Sequence, residues 1–225
     1  MAGPTAGSMW EVEVKFHHGD FAPLRETLKG MGGIFLGCAI EEDTYFRHPS
    51  RDFAVTGEAM RIRSIRESMD KIGVAPTRTP ASAPQSPVEL PSFHGNPSVP
   101  NDAGPLKSVL CYKGPRLSGP AKVRQEIETE VNGAGIRPLL EALGFLPVLT
   151  ISKKRESWKL GKNGEECVIC MDEAHGLGNF VEVEVVAKAE QREKAQARVM
   201  DFAKHLGLGA KEDRSYLRMQ LEKCR

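Results

Sequence analysis

Trp10-Glu11-Val12-Glu13-Val14-Lys15-Phe16 alternates between apolar and charged residues without a break. Successive side chains on a strand point to opposite faces, so Glu11, Glu13 and Lys15 share one face and the apolar residues share the other. The same alternation recurs downstream. Met60-Arg61-Ile62-Arg63 aligns two arginines, and the run from Arg124 to Val131 aligns Arg124, Glu126, Glu128 and Glu130. Ser152-Lys153-Lys154-Arg155 aligns Lys153 with Arg155, and the run from Val181 to Val185 aligns Glu182 with Glu184. One such strand is ordinary, because an antiparallel sheet often has one buried and one wet face. Here five strands show the pattern and their charges sort by sign. Glutamates occupy the first, fifth and last strands, while Arg and Lys occupy the third, fourth and sixth. A solvated surface needs no such sorting.

Eight strand candidates lie near 10–16, 41–47, 58–65, 107–114, 122–131, 148–160, 165–172 and 180–187, each bounded by turn chemistry. Gly161-Lys162-Asn163-Gly164 predicts a hairpin between the sixth and seventh, and residues 174–179 predict another between the last two. Helices are fewer. Asp20 can cap one carrying Leu24, Leu28 and Met31. A short one is expected near 136–143, ending at Gly144. Residues 189–206 put Val199, Phe202, Ala203 and Leu206 on one stripe, and a last helix from about Asp213 groups Tyr216, Leu217, Gln220 and Leu221. The pattern is antiparallel β with attached helices, an α+β class, rather than alternating parallel α/β.

Eight strands can close into a barrel whose interior holds one small ligand. With the apolar face outward under the helices, the lumen receives Lys15, Arg61, Arg63, Lys113, Arg124, Lys153 and Arg155 beside a ring of carboxylates. Buried charges need partners. A polyphosphate satisfies Arg and Lys, and a hard divalent cation, Mg²⁺ or Mn²⁺, satisfies the carboxylates. A mixed-charge lumen thus reads as metal plus triphosphate. A β-sandwich with charged outer faces is the rival architecture.

Composition bounds the rest. The chain has 225 residues, 40% hydrophobic, with 31 Lys+Arg against 30 Asp+Glu and a formal net charge of +1. That supports a real core and gives no general electrostatic case for nucleic acid. No apolar run reaches the roughly 18 residues of a membrane helix. The first eight residues read as a flexible leader without the features of a secretory signal. Residues 73–106 hold eight of the 15 prolines and almost no charge, and read as a disordered insertion in a single domain over 9–225. The five cysteines fit no disulfide framework, so a cytoplasmic setting is expected. Cys167 and Cys170 lie three apart on a strand and face opposite ways, which is poor geometry for one zinc. The histidines read as surface or loop residues, His17-His18 at a strand end among them.

The residues then resemble a known family. Glu11-Val-Glu-Val-Lys15 resembles the E-x-E-x-K signature of the CYTH superfamily, the triphosphate tunnel metalloenzymes. Further segments agree in order: Asp43-Thr-Tyr-Phe46, Glu58-Ala-Met-Arg-Ile-Arg63, Leu110-Cys-Tyr-Lys-Gly-Pro115, Arg124-x-Glu-x-Glu-x-Glu130, Lys153-Lys-Arg155, Asp172, Phe180-Val-Glu-Val-Glu184 and Arg214-Ser-Tyr-Leu217. The resemblance covers residues 9–222 apart from the insertion, and is nearest the class IV adenylyl cyclase (CyaB-type) branch. It implies an eight-stranded tunnel and conversion of ATP to cyclic AMP and pyrophosphate with divalent metal. Hydrolysis of inorganic or thiamine triphosphate is the alternative, and a binding module without turnover stands behind both. It implies metal at Glu11, Glu13, Glu182 and Glu184, joined by Glu126, Glu128 and Glu130, and triphosphate on Arg61, Arg63, Lys113, Arg124, Lys153 and Arg155. Lys15 and Asp172 would serve the chemistry, Lys15 as clamp or water activator and Asp172 by positioning metal-bound groups or the nucleophile. The expected partner is the small triphosphate alone, with no nucleic acid or membrane, on a monomer or homodimer.

Overall fold

A computed structural model describes residues 9–68, 106–162 and 164–224. Its strands are β1 (Met9–His18), β2 (Ile34–Arg47), β3 (Ala59–Ser68), β4 (Leu106–Lys113), β5 (Lys122–Glu130), β6 (Leu146–Leu160), β7 (Cys167–Ala174) and β8 (Gly178–Lys188). Its helices are α1 (Phe21–Gly30), α2 (Phe53–Thr56), α3 (Gly133–Ala142), α4 (Arg192–His205) and α5 (Tyr216–Lys223). The strands form one closed antiparallel barrel in the order β1-β5-β4-β3-β2-β6-β7-β8. The first strand closes the ring by pairing with the last from Met9↔Lys188 to His18↔Asn179.

Closure and alternation together give the wall two unlike faces. Val12, Val14, Val123, Val181 and Val183 are buried on the outside, under α1 and α4. Glu13, Lys15, Arg124 and Glu182 alternate with them and turn into the lumen, where they are also buried. Cys167 joins the outer core while Cys170 lies near Arg155, Glu182 and Glu184, so the two face opposite ways. The outer layer rests on ordinary capping and packing. Asp20 caps α1 by accepting from the Ala22 amide at 2.9 Å. Phe21, Leu24 and Leu28 are the buried face of that helix. It ends where the Gly33 amide reaches Leu28 O at 2.8 Å and the Gly32 amide reaches Lys29 O at 3.0 Å, with Gly32 at φ 76°. Leu28 is fully buried. Leu28→Ala should therefore cost about 2–5 kcal/mol of stability in a denaturant melt while leaving the lumen untouched.

Several expectations shift. β2 starts at Ile34 rather than near 41, and β6 starts at Leu146. Ile34–Ile40 carries no apolar/polar alternation, and its register with β6 shifts between Phe35 and Gly37. A single helical turn, α2, has no counterpart among the expected elements; Asp52 caps it by accepting from the Ala54 amide. Met31 caps α1 and is exposed, because the helix has already ended. The buried stripe of α5 is Tyr216 and Met219, whereas Leu221 is exposed. Leu106, placed in the insertion, opens β4. The rest of 73–106, the leader 1–8 and Asn163 of the predicted hairpin turn lie outside the described residues.

After α4 the chain returns to β1. Phe16 forms a bridge with Lys211, the Glu212 amide donates to Lys15 O at 2.7 Å, and His17 Nε2 lies 2.9 Å from Glu212. This strap delivers α5 to one end of the barrel.

Candidate active site in the tunnel

The lumen opens into a cavity of about 920 Å³, within the range of small-molecule sites. Every residue expected to act on metal or substrate lines it except Glu130 and Asp172. Glu130 is exposed and paired with Lys107 at 3.0 Å. Asp172 is fully buried behind the lining.

Three carboxylates converge first. Glu11 and Glu13 on β1 and Glu184 on β8 bring oxygens to within 4.8 Å of one another. The register explains this, since Glu13 lies opposite Glu184. Burial, together with repulsion from Glu182, Glu11 and Glu13, pushes the Glu184 carboxyl up to about 8 despite nearby Arg155. Burial also raises Glu11, against the pull of Lys113. Three desolvated carboxyls with ligand atoms this close fit a hard divalent cation, whose charge would favour the ionised form of Glu184 and Glu11. A second group, Cys111, Glu126 and Glu128, meets the same distance condition. There the Cys111 thiol, pushed up by burial, donates to Glu126 at 2.9 Å.

The cations come next, and nearly all are held from behind by a carboxylate. Asp43 accepts from Arg63 Nε at 2.7 Å and Nη2 at 2.9 Å, and from Arg61 at 3.1 Å. Burial alone would raise Asp43, but these guanidiniums outweigh it and hold the carboxyl well below the usual range. Asp172 accepts from Lys153 at 2.9 Å, from Arg155 at 2.7 Å through each of two nitrogens, and from the Tyr216 hydroxyl at 2.8 Å. Again burial is outweighed, here by Arg155 and Lys153, and the carboxyl is held low. Arg155 also contacts Glu182 and, at 3.4 Å, Glu184. Lys113 joins Glu11 at 2.7 Å and Glu126 at 3.0 Å. Arg124 is buried, lines the cavity, and among the described residues its Nε, like that of Arg61, has no hydrogen-bond partner. An orphaned buried guanidinium donor in a cavity is what an incoming anion would satisfy.

Lys15 is almost fully buried. Its nearest carboxylate contact, Glu182, is a loose 3.9 Å, while its ammonium sits 3.9 Å from the Tyr216 ring centroid. Burial pushes it down to about 8 against the opposing field of Glu182.

Sequence reasoning missed four members of this constellation. Glu41 contacts Arg63 at 3.1 Å and Lys153 at 3.3 Å. Asp43 anchors two arginines, and Lys122 joins Glu13 at 2.9 Å. The alternation Glu41, Asp43, Tyr45 and the Lys122–Arg124 spacing carry the signal for these three. Tyr216 sits on a helix stripe that resembles ordinary core and gives no such signal.

Comparison with known proteins agrees with this fold. A CYTH domain model matches residues 9–216. A Methanocaldococcus jannaschii protein named "Putative adenylate cyclase MJ0240" is 28% identical over 202 residues, covering 89% of this chain and 91% of that protein. The structure of PH1819 from Pyrococcus horikoshii OT3 is 31% identical, with a TM-score of 0.71 over 95% of this chain and 99% of that one. HpAC1 from Hippeastrum, described as an adenylyl cyclase candidate with a dominant triphosphatase activity, shares the fold at 15% identity and TM-score 0.56, over 96% of each chain.

Proposed function

The chain belongs to the CYTH family, and from that membership we propose that it is a metal-dependent enzyme that breaks a phosphorus–oxygen bond of a triphosphate in its tunnel. The observation that carries the reading is the pairing of a three-carboxylate group with an adjoining set of buried Arg and Lys side chains in one cavity. The first reaction we assign is of the class IV adenylyl cyclase type, ATP to cyclic AMP and pyrophosphate. The Methanocaldococcus jannaschii relative supports it by name. The cavity, about 920 Å³, is within the range of small-molecule sites and leaves room for a nucleotide.

Each residue then has a physical task. Glu11, Glu13 and Glu184 would hold Mg²⁺ or Mn²⁺, with Glu182 beside them on β8 and Glu126 and Glu128 on the neighbouring strand β5. The cation would neutralise phosphate charge and act as a Lewis acid. Arg61, Arg63, Lys113, Arg124, Lys153 and Arg155 bind the phosphoryl oxygens. The carboxylates behind them fix their direction, which is preorganisation for charge that develops on the leaving group. In the cyclase reaction the ribose 3′-hydroxyl attacks the α-phosphorus, the bond to the bridging oxygen breaks, and the clamp takes up the charge of pyrophosphate. Lys15, in its neutral amine form, would receive the nucleophile's proton. Asp172 acts behind the lining by positioning Lys153 and Arg155.

Hydrolysis of inorganic or thiamine triphosphate is the second reading, left open by one observation. Lys15 is not locked in a short ion pair, so its amine is as available to a water molecule as to a ribose hydroxyl. The test is product analysis with Mg²⁺ or Mn²⁺ on ATP, thiamine triphosphate and inorganic triphosphate separately. Cyclic AMP with pyrophosphate supports the first reading, and orthophosphate without cyclic AMP the second. EDTA should abolish either activity. If no substrate turns over, the enzyme reading fails. Tripolyphosphate raising the melting temperature only with metal present would then leave a binding module.

A further inference from the structure

The strap and α5 do more than close the outer layer. Tyr216, the first residue of α5, enters the end of the tunnel and touches both of its halves. Its hydroxyl donates to Asp172 Oδ2 at 2.8 Å, on the side of Lys153 and Arg155. Its ring receives the Lys15 ammonium at 3.9 Å from the centroid and packs edge-on against Phe180 at 5.2 Å. Lys15 needs such a restraint. A lysine ends a flexible four-carbon stem in a point charge with no preferred direction, and the one carboxylate it contacts is 3.9 Å away. The aromatic face is the broader partner, and a desolvated ammonium over a ring is attracted by its quadrupole. The strap that carries Tyr216 is itself hydrogen-bonded to the Lys15 backbone through the Glu212 amide. Ring and ammonium are thus indexed to each other through two connections.

We propose that Tyr216 is a positioning residue, whose ring holds the Lys15 ammonium in place beside the metal-binding carboxylates. The assignment rests on the triphosphate-enzyme reading in so far as Lys15 serves the chemical step. The ring, rather than the hydroxyl, is the working part, which separates it from a purely structural bond to Asp172.

The test compares Tyr216→Phe with Tyr216→Leu in the full chain. Tyr216→Phe keeps the ring and should hold kcat within about threefold of the parent. Tyr216→Leu removes the ring as well as the hydroxyl, and should lower kcat by about tenfold or more relative to Tyr216→Phe with KM within about threefold of that variant's, since both variants lose the bond to Asp172 behind Lys153 and Arg155 alike. A leucine variant with unaltered kcat overturns the proposal. Equal losses in both variants also overturn it, because they assign the effect to the hydroxyl. A second readout does not need turnover: the rate at which Lys15 reacts with an amine-directed ester, followed by peptide mass spectrometry. It should rise in Tyr216→Leu and not in Tyr216→Phe, and a rate unchanged in both overturns the positioning role. This arm decides the matter even if the parent turns over none of the three triphosphates, so failure of the enzyme reading and failure of the positioning role are told apart. If the leucine variant does not fold, Tyr216→Met, flexible and of similar bulk, replaces it in both assays.

Discussion

Glu13→Ala should leave a folded protein with turnover lowered on the order of 1,000-fold, because it removes one of the three converging carboxylates proposed to hold the metal, and with it several kcal/mol of transition-state stabilisation. The barrel should survive, since the outward neighbours Val12 and Val14 carry the packing of that strand. The substitution also takes the 2.9 Å partner from Lys122, so Glu13→Gln, which is neutral but keeps a hydrogen-bond acceptor there, separates the loss of the anionic ligand from the loss of the Lys122 hydrogen bond. Arg63→Ala should act from the cationic side of the same site. It deletes a proposed phosphate donor while Asp43 keeps Arg61 as a partner at 3.1 Å, so activity should fall far more than stability. Steady-state kinetics beside a thermal melt gives the answer. Retained activity in both Glu13→Ala and Arg63→Ala would sink the tunnel assignment.

Asp172→Ala should do the reverse, striking the fold first. Its carboxylate is fully buried and accepts from Lys153, Arg155 and Tyr216 at once. Removing it leaves two buried cations short of a counter-charge, a change that typically costs about 3–5 kcal/mol. A denaturant melt reads this directly, and a loss below about 1 kcal/mol would mean the lysine and arginine find water or Glu41 instead. Acid gives an independent check of sign. The folded-state carboxyl of Asp172 is held below its ordinary value of 3.8. Its contribution to stability is therefore complete above that pH and is lost as pH falls toward the folded value. The parent should lose stability on acidification below about pH 4 more steeply than Asp172→Asn, which has no such group to protonate.

How much of this is legible in the sequence depends on where the information sits. Strict alternation in Glu11-Val-Glu-Val-Lys15 and its counterparts fixes which side chains share a face, so the charged lumen and apolar exterior follow once the strands are closed. Alternation says nothing where polar residues are missing, and the early part of β2, from Ile34 to Ile40, carries no strand signal of that kind. It also cannot say how far along the barrel axis a residue falls. Glu130 continues the periodicity of Glu126 and Glu128, yet it lies at the exposed end of β5 with Lys107. Asp172 is on the inward face but behind its neighbours, a matter of depth rather than of face. Tyr216 is hidden for another reason. A helix stripe reports that residues are buried, not what they are buried against, and only the path of the strap shows that this one meets Lys15.

Closure of the ring also bears on how the chain acquires its shape. β1 is made first, but its partners are β5 and β8, and Met9 waits for Lys188. Its apolar side, with Trp10, Val12, Val14 and Phe16, stays uncovered until the neighbouring strands, α4 and the strap arrive. Pairings so distant along the chain are entropically late and make for folding on millisecond-to-second timescales. During synthesis the N-terminal strand would therefore be an unprotected, aggregation-competent segment for most of the time the ribosome is at work, and its charged alternate residues, Glu11, Glu13 and Lys15, would keep it soluble until the barrel can shut.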